Sequence, residues 1–321
     1  MPMPVTAARG GRLTDLPVLL IAVVWGSSYL AAKGVTTQRT VLAVLVLRFA
    51  VAVPVLVVAG RRRLRALSAA QVRGGALLGL LLAVIFLLET YGVVRTSATN
   101  AGLIISLTMV LTPLAESAVR GVRLPGSFLA AAGLSVLGVA LLTVGAGFTA
   151  PNGGDLLMLG AAAARTAHVL AMSRLESVRG ADALSLTTVQ LGGALVVFAV
   201  LTAVPGTGAP PWSAAAAFDG GDWLGLLYLS AFCTLLAFFV QMWAVRRTSP
   251  SRVSLLLGTE PVWAAAVGIA LGGDRPGPLG YLGAVLVLAG TAWGRLPAGR
   301  GERAGTGAPG VVADAAATEP A

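Results

Sequence analysis

Eight ionisable or amide side chains interrupt the apolar runs of this chain, and its chemistry must lie among them: Arg48, Glu89, Glu116, Arg165, His168, Gln190, Gln241 and Glu260. A polar group in hydrocarbon is costly enough to imply a purpose or a partner. Glu260 stands apart because Pro261 follows it. Proline lacks a backbone donor and frees a carbonyl one turn earlier, so the helix is breakable beside an ionisable group. Two readings of Glu260 follow. In one it contacts a cationic or amino group of a ligand, or takes a proton in alternation with that ligand. In the other it is a permanent bridge to Arg165, at similar depth, or a protonated acid bonded across helices. Trp25, Ser27, Ser28 and Tyr29 are candidate cavity-lining residues, against the plainer alternative of packing and backbone hydrogen bonds. Arg165 and His168, three positions apart, share a helix face and serve either as an interior pair or as ligand contacts. Arg48 and Glu89 lie about 8 to 12 Å below the outer ends of adjacent antiparallel helices, which predicts a buried ion pair. Pro113 is a second candidate helix break or gate. Glu116 is expected at the interface beside Arg120, and Gln190 and Gln241 are expected to bond between helices.

Catalysis is poorly provided for. One His, one Cys, no HExxH and no paired-Asp motif leave no catalytic residue or metal site to assign, and no cofactor is implied. Cys233, the single cysteine, excludes an intramolecular disulfide, a CxxC site and thiolate cluster ligation.

The elements that carry these residues are membrane helices. The chain is 56% hydrophobic and 11% charged, with a mean hydropathy of +0.86, whereas soluble domains are about 25% charged. A crossing takes about 20 apolar residues, and ten runs are legible near 16–32, 40–60, 74–94, 98–119, 127–145, 155–173, 183–204, 222–244, 252–271 and 278–295. The first run is expected to stay attached rather than be cleaved as a signal peptide, since it continues through a Trp and a Tyr and similar runs follow. Residues 1–15 form a short tail, 148–154 a Gly- and Pro-containing linker between halves, and 297–321 a tail without an apolar face that is expected to be disordered. The loop 205–221, with Trp212 and Phe218, reads as interfacial.

Two halves are related to each other. Arg95, Thr96 and Ser97 recur as Arg247, Thr248 and Ser249, an offset of 152 positions that also carries Gly121 onto Gly273, Arg123 onto Arg275 and Gly138 onto Gly290. A repeat of that length in so apolar a chain points to duplicated halves of a transporter rather than to a solenoid. Seventeen of the 23 Lys and Arg residues fall on the tails and on alternate connections, while four, Lys33, Arg39, Arg95 and Arg275, fall on the opposite face. The basic excess therefore orients the chain, with both termini cytoplasmic, and it lacks the aromatic interleaving of a nucleic-acid groove. Five helices per half put the second copy into the membrane upside down. The fold class expected is all-α integral membrane, with ten transmembrane helices as two inverted five-helix repeats, 16–147 and 155–296.

These residues resemble the EamA-like drug/metabolite transporter superfamily over about residues 16 to 295. The likeness rests on WGSSY at 25–29 with Lys33 after it, Arg48 and Phe49, TSATNAG at 96–102, Glu260 and Pro261, GDRP at 273–276, and Gly283 with Gly290. It implies a central cavity between the halves and transport, often export, of amino acids, other small metabolites or drugs across the cytoplasmic membrane. The partners implied are a small-molecule substrate and the lipid bilayer, with protons or a counter-transported solute as alternatives for coupling; the oligomeric state stays open. Two departures matter. Val122 and Asp274 stand where the family tends to place a Glu between Gly and Arg. The offset of 152 sets Pro261 opposite Met109, while the first-half proline, Pro113, comes four residues later. An intramembrane enzyme and a non-transporting membrane sensor are the competing classes, and neither accounts for an inverted duplication as naturally.

Overall fold

The computed structural model describes residues 7–96, 101, 104–121, 123–145, 153–271 and 277–294. Most of TSATNAG, GDRP, Val122, Asp274, most of the linker 148–154 and the tail 297–321 lie outside the described residues. In chain order the helices are α1 (Ala7–Val35), α2 (Val41–Leu64), α3 (Ala69–Val93), α4 (Thr108–Arg120), α5 (Gly126–Gly145), α6 (Gly153–Arg174), α7 (Ala183–Thr202), a short surface helix α8 (Pro211–Ala217), α9 (Gly220–Arg247), α10 (Pro250–Leu257), α11 (Glu260–Leu271) and α12 (Pro278–Gly294). No strand occurs among the described residues. The first helix starts at Ala7, inside the segment expected to be a tail.

Six helices are long and apolar enough to cross a membrane: Asp15–Val35 within α1, then α2, α3, α6, α7 and α9. The shorter α5 and α12 are also apolar. Large aliphatic side chains face outward along these helices, with Val58 77%, Leu156 73% and Val200 61% exposed. In water such a surface would aggregate; in lipid it is the ordinary outer face. Polar residues mark the helix ends. Ser68 and Gln71 close a capping box on α3, Asp219 and Asp222 another on α9, and Asp182 accepts the Ser185 backbone N–H at the start of α7. Arg61, Arg62 and Arg63 finish α2, where cations complement the carbonyl end of the helix.

Helices that follow one another in sequence are not always the ones that touch. α2 packs mainly on α7, α3 packs on both α6 and α7, and α1 lies against α9 and α11. The closest pair, α5 and α12, is made possible by glycine. A Cβ on Gly138 would come within 2.6 Å of Val287 N and 2.7 Å of Gly283 O, and one on Gly290 within 2.7 Å of Ala131 O. Without a hydrophobic drive between helices in lipid, such close backbone contact is what associates them. Inside, an aromatic core joins the two halves: Phe49 meets Phe86 and Phe198 edge-on at 4.9 and 5.1 Å between ring centres, and Phe238 reaches both Phe86 and Trp25.

Candidate functional site

The site is built where α10 gives way to α11. α10 ends at Leu257, Gly258 and Thr259 make a turn in which Thr259 N donates to Leu256 O, and Glu260 opens α11. Pro261 is the second residue of that new helix, where a missing N–H costs nothing. Glu260 is thus set at a helix start in the interior, 3% exposed. α1 presses against this turn because residue 26 is glycine: a Cβ there would come within 2.7 Å of Ala264 N and 2.8 Å of Glu260 O.

Tyr29, one turn below Gly26 on α1, donates from its hydroxyl to Glu260 Oε1 at 2.5 Å. Arg165 of α6 reaches Glu260 Oε2 with Nη1 at 3.4 Å and holds Glu89 of α3 with Nη2 at 2.9 and 3.0 Å. Its guanidinium carbon lies 5.0 Å from the centre of the Trp25 ring, a cation on an aromatic face. One guanidinium therefore spans two carboxylates from opposite halves of the chain. Trp25 is fixed in turn, its indole N–H donating to Cys233 O at 2.9 Å. That carbonyl belongs to a π-helical turn, Ala231–Leu236, within α9; such turns are rare and gather at functional sites.

Two small cavities flank Arg165. One, of about 40 Å³, is lined by Trp25, Ser28, Tyr29, Arg48, Glu89 and Phe86 among others. The second, of about 20 Å³, is lined by Thr108, Thr112, Gln241, Ser254 and Glu260. Arg165 borders both. A cavity needs about 10–15 Å³ for one water, so neither has room for a metabolite, and the charged cluster partitions the two.

The sequence-derived candidates meet this arrangement unevenly. Trp25, Tyr29, Arg165 and Glu260 come together. Ser28 borders the first cavity but donates to Trp25 O, and Ser27 faces α9, 2.5 Å from the Tyr228 hydroxyl. The expected Arg48–Glu89 ion pair is not formed. Glu89 is held by Arg165, whereas Arg48 donates to Thr234 Oγ1 at 2.5 Å and stacks over Phe86 at 4.9 Å. Arg48 and Glu89 border the same cavity but face different partners: α2 and α3 touch each other little and both pack on α7, while Glu89 faces Arg165 of α6. His168 pairs with Gln190 Oε1 at 2.9 Å rather than with Arg165, in the aromatic interior beside Phe238. Glu116 meets Arg120 at 3.1 Å and also accepts the Ser251 backbone N–H at 3.0 Å and its hydroxyl at 2.5 Å. Pro113 lies inside α4, with no interruption at that residue. Sequence reasoning missed Phe86, Phe238, Thr234 and Thr108. The π-helical turn that presents Thr234 contains neither Gly nor Pro and left no signal to read.

The centre of this helical membrane protein is thus a charged cluster at an interrupted helix, beside two small cavities. The sequence matches the EamA-like transporter family twice, over residues 12–144 and 152–293, and the chain belongs to that family. It is a multi-pass membrane transporter. An uncharacterized transporter of Archaeoglobus fulgidus is 26% identical over 278 residues, covering 85% of this chain and 83% of that protein. A solved crystal structure shares the fold with a TM-score of 0.71 at 18% identity, covering 88% of this chain and 98% of its own.

Proposed function

We propose that the chain exports a small metabolite, amino acid or drug across the cytoplasmic membrane by alternating access, through ten crossings arranged as two inverted five-helix repeats with both termini in the cytoplasm. α4 and the α10–α11 pair complete the ten. The observation that carries the reading is the Tyr29–Glu260–Arg165–Glu89 network, which ties both halves together beside a helix interruption and parts the two cavities. A substrate bearing an amino or cationic group competes with Arg165 for Glu260, and a carboxylate competes with Glu260 for Arg165. Either exchange loosens the partition, so binding and opening are the same event. Proton uptake by Glu260 in alternation with substrate does the same.

Glu260→Gln keeps the shape and the Tyr29 hydrogen bond but removes the charge. In proteoliposomes this variant is expected to lose pH-dependent flux while expression and melting temperature stay near wild type. Wild-type flux with an unchanged pH profile would make Glu260 scaffold only. Orientation has its own check: in a Cys233→Ala background, a single cysteine in either tail is expected to resist an impermeant maleimide in intact cells, and labelling there overturns the topology.

A further inference from the structure

Of the four basic residues that the proposed topology places outside, two converge. Arg39, in the connection from α1 to α2, and Arg95, just after α3, border one open pocket at the end of the bundle where α7 also finishes. Basic side chains on the inner face need no special account in a membrane protein, since positive charge accumulates there. A pair of them together on the outer face does. Neither guanidinium is ion-paired with a carboxylate among the described residues. Both are exposed.

The pocket is layered. Tyr91 and Leu87 lie four apart on one face of α3, and Arg95 follows just beyond the helix end with its guanidinium 5.6 Å from the Tyr91 ring centre. Leu42, the second residue of α2, and Leu201 on α7 complete an apolar floor. The rim is held by a fitted loop. Ala209 N donates to Arg39 O at 2.8 Å, and Gly208, at φ +136, lies so close that a Cβ there would come within 2.6 Å of the same oxygen. Two cations therefore border the mouth of the pocket, one of them beside an aromatic ring, with leucines beneath.

We infer that this pocket binds an anionic phospholipid of the outer leaflet, its phosphodiester between Arg39 and Arg95 and the start of its acyl chains on Leu42, Leu87 and Leu201. Charge complementarity selects the headgroup, because guanidinium forks match phosphate oxygens. The graded polarity selects an amphiphile over a free ion. The outward placement rests on the proposed topology, but the readout below is binding, so its failure leaves the transport reading intact.

The test uses the full chain, delipidated in a neutral detergent, titrated with phosphatidylglycerol, with phosphatidylcholine of the same chains, and with glycerol 1-phosphate as the soluble headgroup. Thermal unfolding and native mass spectrometry report binding. Wild type is expected to prefer phosphatidylglycerol over phosphatidylcholine and to gain no comparable stabilisation from glycerol 1-phosphate. Arg39→Gln/Arg95→Gln is expected to weaken phosphatidylglycerol binding about thirtyfold, at about 1 kcal/mol per basic residue, while Arg39→Lys/Arg95→Lys retains most of it and Arg61→Gln/Arg62→Gln, on the opposite face, leaves this preference in place. An undiminished preference in Arg39→Gln/Arg95→Gln overturns the assignment. Equal stabilisation by glycerol 1-phosphate would make the pocket a site for soluble anions and also overturn it.

Discussion

The two halves carry the same interruption with different chemistry on it. At the second-half turn, Thr259 N donates to Leu256 O, and Val262 N and Trp263 N both return to Thr259 O. At the first-half position 152 residues earlier, Leu107 N donates to Ile104 O, and Val110 N and Leu111 N both return to Leu107 O. The bonding is the same donor for donor. Yet Glu260 follows the second turn and Thr108 the first, the latter spending its hydroxyl on Ile105 O. The two broken segments also touch, since Met109 lies 3.1 Å from where a Gly258 Cβ would be. Proline is not what the two turns share. Pro261 sits beside its turn, but Pro113 comes six residues after Leu107, inside α4. The duplicated frame supplies the break, and one half alone supplies the charge.

The sharpest way to test that asymmetry is to remove the cation the charged half depends on. Arg165→Ala leaves Glu89 and Glu260 without their shared partner in the interior, and losing one side of a buried pair costs about 3–5 kcal/mol. Chemical denaturation of the purified protein in mild detergent should show that loss, together with abolished flux; a loss below 1 kcal/mol would mean water already satisfies both acids. Next is Gly26→Ala. Its methyl group would strike backbone atoms of α11, which cannot yield as a side chain would, so about 1–3 kcal/mol of overpacking is expected, with transport falling more than stability because Glu260 is pushed from Tyr29. Pro261→Ala comes third. If the frame makes the break, this variant melts within about 1 kcal/mol of wild type and keeps transporting, whereas loss of transport in a well-folded Pro261→Ala protein would give the break back to proline. Thr108→Val should do least, about 0.5–1.5 kcal/mol for one hydroxyl hydrogen bond, with flux unchanged; inactivation there would show that the uncharged half does chemistry after all.

Much of this frame was legible in the sequence because its determinants are local or periodic. Apolar runs, the offset of 152 and the Glu260–Pro261 pair each announce themselves in one dimension. Arg165 and Glu260 could be brought to one depth by counting residues from helix ends. Counting fails at the next step. Arg48 and Glu89 are brought to one depth by the same count, but which face of a helix meets which neighbour depends on packing order, and α2 and α3 pack on α7 far more than on each other. His168 erred in the same way: a shared stripe with Arg165 did not give a shared partner, and Gln190 of α7 took the ring nitrogen. The bond from Glu116 across to Ser251 was hidden by distance, since the two are 135 positions apart.

The π-helical turn in α9 can also be regarded as a slip of phase. An α-helix advances about 100° per residue, so one extra residue in Ala231–Leu236 rotates everything after it by about that angle relative to everything before. Trp223 and Leu226 belong to the first phase; Phe238 and Gln241, which face the centre, belong to the second. A point substitution in the turn leaves that rotation in place. Deleting a single residue from it would restore one helical phase and swing Phe238 and Gln241 away from Trp25 and Glu260 together, a rotation that no exchange of one side chain produces.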